Sequence, residues 1–214
     1  KQTARAVGGL DIGYLYTEKI PGHHLMQAHR DDYYMLIILI KGEGSIQCDM
    51  EHIVAKPTGI LYIKPYQIHA YEQQSNHLEG YALSIAPFLI PDHCLAIFQG
   101  TPVSQQFINL EETKERDIID TADLMLRTFG EDSTHKTFVI HGLFNALINQ
   151  VASRFSDANP KQKGKQNQSQ VINTGFHKLL QENSFLHLPS FFAEKLNITT
   201  SHLNDCVHAE TGFS

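Results

Sequence analysis

Cysteine is scarce: Cys48, Cys94 and Cys206 are the only three in 214 residues. They lie far apart, are odd in number and form no Cys-x-x-Cys pair. Neither a disulfide framework nor a zinc–thiolate site is implied, and a reducing cytoplasm is the expected compartment. A long apolar run is also missing. The longest, Met35 to Ile40, is strand length and far short of the roughly 20 residues of a membrane span, so no membrane partner is expected. The N-terminal KQTARAV has no apolar signal core and no initiator Met, as in a trimmed or excerpted chain. Basic residues are in short supply, and a net charge of −6 counts against nucleic-acid binding by the chain as a whole. Nucleophile-elbow, Walker A, Rossmann and zinc-finger patterns are absent, as are internal repeats, so no catalytic residue is assigned and no enzyme is expected.

What remains is an ordinary globular composition, 42% hydrophobic and 19% charged, long enough for a sizeable core. Residues 10–90 read as β. Tyr33 to Ile40 (YYMLIILI) is β-branched and aromatic, as in a strand buried on both faces or lining a barrel. Lys41-Gly42-Glu43-Gly44 and Pro57-Thr58-Gly59 read as turns. The runs Ser45–Asp49, His52–Lys56, Ile60–Lys64, Gln67–Glu72 and Leu78–Ala86 complete a series of short strands that predicts a sandwich or barrel. The period then changes. Ile118, Ala122, Met125 and Phe129 share one helical face, with Gly130 at the C-cap. A second helix over about Thr137–Phe155 turns Ile140, Phe144, Leu147, Ile148 and Val151 to its apolar side, and the two are expected to pack antiparallel.

Residues 157–170 (DANPKQKGKQNQSQ) hold no large apolar residue and predict a flexible linker. Beyond it, Thr174 is an N-cap candidate for a helix carrying Phe176, Leu179 and Leu180, and Pro189 suits the first turn of the next helix. The predicted division is a barrel over 1–103, a helical segment over 104–156, the linker, and a helical domain over 171–214.

In that last domain Ala193 is small enough for a close helix crossing, Leu196 and Ile198 flank a turn, and Thr199 caps a helix with Leu203 and Val207 inward. Thr200, Ser201, Asn204, Asp205 and His208 form its polar outer face. On spacing alone, a plain helical hairpin with a polar surface fits equally well. The segment resembles the first helix-turn-helix of the AraC/XylS family through Ala193, Leu196, Ile198, Thr199, Leu203 and the terminal Thr211-Gly212-Phe213-Ser214. The resemblance implies a transcription regulator whose outer-face residues meet DNA. It also implies a second helix-turn-helix, so a further, more basic unit is expected beyond Ser214. Residues 171–214 carry Lys178 and Lys195 against Glu182, Glu194, Asp205 and Glu210, a balance of −2. Alone this fragment is expected to bind DNA weakly or not at all.

The β region resembles a cupin in its loops. His29 precedes the long strand, Gly42 and Gly44 follow it, and Pro65-Tyr66-Gln67-Ile68-His69 is similar to that family's second histidine loop. The resemblance implies an α+β chain: a cupin-like barrel, an antiparallel helix pair and a partial helix-turn-helix domain. Metal-binding cupins carry His-x-His and a Glu before the turn. Here Asp31 replaces the second His, and Tyr33 and Tyr34 stand near the place of the Glu, which leaves His29 and His69 as survivors with Asp31 as a possible carboxylate. That departure favours an organic effector, so neither metal nor cofactor is expected, with His29, Tyr34, Leu36, Tyr62 and His69 as its binding residues. Taken singly, His69 also fits a hydrogen-bonded strand end, His29 a solvent-facing loop, Tyr34 and Tyr62 a core, and His23-His24 a polar loop. The function expected is a DNA-binding regulator switched by a small molecule, homodimeric through helices at 113–155. Two other functions remain open: a metal-dependent cupin dioxygenase or isomerase with a helical tail, and a dimeric binding module with no DNA role.

Overall fold

A computed structural model of the chain describes residues 6–18, 27–75, 77–110, 112–159, 169, 171, 172, 175, 176, 179, 180 and 187–211. These fall into two units that meet at 158/159 in the sequence.

The first unit is mixed helix and sheet. Its strands are β1 (Leu10–Glu18), β2 (Tyr34–Lys41), β3 (Gly44–Cys48), β4 (Glu51–Ala55), β5 (Gly59–Ile63), β6 (His69–Gln74), β7 (His77–Ile85) and β8 (Phe107–Asn109). They form a five-stranded sheet in the order β1-β7-β2-β5-β8 and a three-stranded sheet in the order β4-β3-β6, a cupin-like β-sandwich. Gly42 makes the β2–β3 turn at φ 77°, a left-handed conformation that glycine adopts without strain.

The two sheets differ because their strands are buried differently. In the small sheet Ile46, Cys48, Ile53 and Ala55 are buried, while Glu51, His52 and Val54 alternate outward to solvent. In the large sheet β2 and β5 are buried on both faces, as the run YYMLIILI predicts. One face carries Leu36, Ile38, Ile60, Tyr62, Tyr81, Leu83 and Ile85. The other carries Ile37, Leu61 and Ile63, which pack with Ile46, Cys48 and Ile53 of the small sheet.

Helices cover the first of these faces. They are α1 (Asp92–Gly100), α2 (Glu112–Gly130) and α3 (Lys136–Ala158). Ile118, Ala122 and Met125 of α2 and Ile140, Phe144, Leu147, Ile148, Val151 and Phe155 of α3 are buried in one cluster with the sheet residues. The helix pair therefore shares its core with the strands, and the chain divides into its two units at 158/159. The helical spacing of 104–156 did not disclose β8, which pairs with β5, and the β spacing of 10–90 stops short of α1.

In the second unit α4 (Pro189–Lys195) and α5 (Thr200–Thr211) are joined by a four-residue turn, 196–199. Asn197 takes φ 55°, its N–H donates to the Glu194 carbonyl at 3.0 Å, and the Ile198 N–H donates to the Ala193 carbonyl at 3.0 Å. This is a Schellman closure, which satisfies carbonyls that a helix end would otherwise leave bare. Phe192, Ala193, Leu203, Cys206 and Ile172 form its core, with Phe176, Leu179, Leu180, Leu196, Ile198 and Val207 packed around them. Thr174, most of 157–170 and Gly212–Ser214 lie outside the described residues. No helix among the described residues is long and apolar enough to cross a membrane.

Candidate effector site

The segment before β2 and the loop before β6 are tied together at the main chain. The His29 N–H donates to the His69 carbonyl at 3.1 Å and the His69 N–H to the His29 carbonyl at 2.9 Å. The Tyr66 N–H donates to the Asp31 carbonyl at 2.7 Å.

The loop is pinned from beneath as well. Gln67 donates to Asp49 Oδ2 at 3.0 Å and accepts from Gln106 Nε2 at 2.9 Å, and Gln106 Nε2 also reaches the Tyr62 carbonyl at 2.8 Å. The Lys64 N–H donates to Gln67 Oε1 at 2.8 Å, and the Ile68 N–H to Asp49 Oδ1 at 3.0 Å. Gln67 and Gln106 are buried, and a buried amide pair this fully satisfied holds one geometry.

Two imidazoles and a carboxylate converge on this frame. His69 is 2% exposed, and the His29 and His69 rings lie 4.3 Å apart, centre to centre. Asp31 Oδ2 stands 3.7 Å from His29 Nε2 and 3.6 Å from His69 Nε2. The other nitrogen of each ring faces a carbonyl: His29 Nδ1 to Gln27 at 2.9 Å and His69 Nδ1 to Gln67 at 3.1 Å. A carbonyl only accepts, so each Nδ1 is the donor, which in the neutral ring leaves the lone pair on Nε2. Nε2 of His69 is buried without a hydrogen-bond partner. Among the described residues this is the one group of three or more His, Cys, Asp or Glu side chains whose ligand atoms gather, all within 4.8 Å.

Phenols line the approach. Tyr33 shares side-chain hydrogen bonds with Ser84 and Asp31, and burial first, then the Asp31 charge, raises its pKa. Tyr71 donates to Met35 Sδ at 3.4 Å, and burial pushes its pKa up to about 12. On the β1 and β7 side the same face carries small groups at Gly13, Ala82 and Ser84, with Asp11 opposite Ser84 and Leu15 packed toward the aliphatic end. The registers place Gly13 opposite Ala82, and Met35 opposite Ser84. A Cβ added at Gly13 meets no heavy atom of the described residues within 4 Å. The sandwich is thus packed with aliphatics between β2 and β5, and no described residue fills the space at Gly13.

Of the five expected ligand residues, the structure brings His29 and His69 together. It places Tyr34, Leu36 and Tyr62 elsewhere, on the face of the large sheet covered by helices. Tyr62 donates to the Phe98 carbonyl at 2.9 Å and packs 4.8 Å from the Phe155 ring, and Tyr34 lies 6.4 Å from Phe98. The reason is the two-residue period: the face that holds Met35 and Ile37 is opposite to that of Tyr34 and Leu36. Tyr33 and Gln67 stood in the sequence only as parts of motifs, and Tyr71, Ser84, Gly13 and Gln106 were not singled out. The same period, counted outward from His69 and Met35, would have found Tyr71 and Tyr33.

In the second unit Thr199 Oγ1 accepts from the His202 N–H at 3.2 Å, capping α5. Ser201, Asn204, Asp205 and His208 are exposed, Thr200 is half-buried, and Leu203 and Cys206 are 1% exposed. The inward pair is therefore Leu203 with Cys206, and Val207 is only partly covered.

Residues 13–138 match the AraC-like ligand binding domain family. Among solved structures, the chain is similar to the AraC-like transcriptional activator CuxR, with a TM-score of 0.53 and 11% identity over 97% of this chain and 73% of that one. It is also similar to unsaturated fatty acid bound ToxT from Vibrio cholerae strain SCE256, with a TM-score of 0.56 and 9% identity over 97% of this chain and 75% of that one. At these identities the likeness speaks for the fold. No curated protein sequence matches the chain.

Proposed function

The chain belongs to the family of AraC-like ligand binding domains, as an AraC-type regulator with a cupin-like domain, and from this premise we propose that it is a transcription factor controlled by a small molecule held in the β-sandwich. The effector enters beside Gly13 and Ser84 and meets His29, Asp31 and His69. Tyr34, Leu36 and Tyr62 form the layer between the site and the helices, so a shift of β2 or β5 moves α3 through the Tyr62–Phe155 contact. An effector acts only by its different affinity for two arrangements. Helices α2 and α3 pair two copies, with Leu124, Phe138 and Val139 as exposed apolar anchors. Thr200, Ser201, Asn204, Asp205 and His208 then read the major groove. ToxT, which has a similar fold, is bound to an unsaturated fatty acid, and this supports a small-molecule effector.

The observation that carries the DNA half is α5 itself: a capped helix after a Schellman turn, with a polar outer face and a buried Leu203 and Cys206. The test is retardation of promoter DNA by the full-length gene product across a salt titration. Binding that weakens steeply with salt is expected. No retardation at about 50 mM salt ends this proposal. The converging histidines support a second function, a metal-dependent cupin dioxygenase or isomerase. Substrate turnover lost in His69→Ala, without DNA binding, decides for it.

A further inference from the structure

The His29–Asp31–His69 cluster has an electrostatic defect. Both Nδ1 protons are committed to carbonyls, so with neutral rings two imidazole lone pairs and a carboxylate oxygen face one another. An N–H donor from either ring to Asp31 would close to about 2.7–2.9 Å, yet the separations are 3.7 and 3.6 Å. Nothing among the described residues donates to the buried Nε2 of His69. Three acceptor atoms within 4.8 Å of one another call for a positive or hydrogen-donating group between them, and a metal ion satisfies all three at once.

We infer that His29 Nε2, Asp31 Oδ2 and His69 Nε2 bind a divalent first-row transition-metal ion with open coordination positions. Bond lengths of about 2.0–2.2 Å to imidazole nitrogen and carboxylate oxygen set neighbouring ligand atoms about 3.0–3.4 Å apart at octahedral to tetrahedral angles. The two imidazole–carboxylate separations need to close by only a few tenths of an ångström, and all three atoms lie within 4.8 Å of one another. Two imidazoles with one carboxylate suit zinc, iron, cobalt or nickel rather than calcium or magnesium.

The supporting shell is already in place. The Gln27 and Gln67 carbonyls fix both ring tautomers, Tyr33 hydrogen-bonds Asp31, and the reciprocal main-chain bridge between His29 and His69 fixes the spacing. Three protein ligands leave positions for exogenous donors, and these look toward Tyr33, Ser84 and the space beside Gly13. The ion therefore anchors small oxyanion-bearing effectors. That last step rests on the sandwich being the effector compartment; the ion site itself does not.

The test is a cobalt(II) titration of chelator-treated full-length protein, read by visible d–d absorption and thermal shift. Saturation at about one equivalent per chain, with a raised melting temperature, is expected. Asp31→Asn and His29→Gln, both at partly exposed positions, should stay folded by circular dichroism and bind cobalt at least about 10-fold more weakly. His69→Ala should abolish the signal. No visible bands, or binding unchanged in folded Asp31→Asn and His29→Gln, overturns the site. Azide added to the cobalt form should shift the bands, and an unmoved spectrum overturns the open positions. DNA retardation without metal is scored separately, so failure of the ion site and failure of the regulator reading are told apart.

Discussion

The two faces of the five-stranded sheet use the same strands for different ends. On the helix side, alternate residues of β2, β5 and β7 meet Phe98, Phe144 and Phe155 in a continuous apolar layer. On the inner side, the residues between them run from aliphatics at Ile37, Leu61 and Ile63 to a polar end at Tyr33, Asp31 and Ser84. One face is filled and sets stability. The other is less filled and is the face to which the proposed effector site belongs. Successive side chains of one strand point to opposite faces, so adjacent residues belong to different tasks.

The sharpest way to break this contrast is Phe155→Ala. The ring is fully buried against Tyr62 and Phe98, and its loss should cost about 3–5 kcal/mol by urea unfolding. A cost below about 1 kcal/mol would show that the helix-side layer is not the core.

Alkaline pH should weaken both faces together. Burial pushes the Cys94 thiol up to about 11 and Cys48 up to about 12, against 9.0 for a free thiol. These groups ionise first in the unfolded chain. Their contribution is whole below pH 9 and is lost as pH rises through 11 to 12. The urea midpoint should fall between pH 8 and pH 11 by comparison with a Cys48→Ala, Cys94→Ala double variant. At pH 8, mass spectrometry of labelled native protein should find both thiols unmodified, and rapid labelling of either contradicts the packing.

Tyr62→Phe probes a single link in the helix-side layer. It leaves the ring in place and deprives the Phe98 carbonyl of its 2.9 Å phenol donor, costing about 1–3 kcal/mol if no other donor replaces it. The smallest effect on stability is expected from Gly13→Val. The added atoms enter open space, and a branched residue suits a strand, so stability should change by no more than about 1 kcal/mol. The azide shift of the cobalt form should nevertheless be lost. Retention of that shift would move the opening elsewhere.

Much of the fold was legible because local patterns carry it. The doubly buried strand at Tyr33–Ile40, the helical faces at Ile118–Phe129 and Ile140–Val151, and Thr199 as a cap are short-range signals. Helix α1 and strand β8 were hidden because each is short and held by its neighbours: Phe98 by Tyr62, and Phe107 through pairing with β5. At the site, His29 and His69 were visible as residues, but their partners were not. Asp31 read as a possible carboxylate in a broken motif, and only the folded chain shows it standing between the two rings.

The amino-acid order alone determined which residues alternate, which turn and which cap, because those properties act over a few bonds. It also set the chain's class: strands, then helices, then a crossed helix pair. Which face of β2 looks inward was decided by tertiary structure, since a period of two is symmetric until helices cover one side. The closure of His29 onto His69 belongs there too. Forty residues separate them, and no local preference can aim two side chains at one point across that distance.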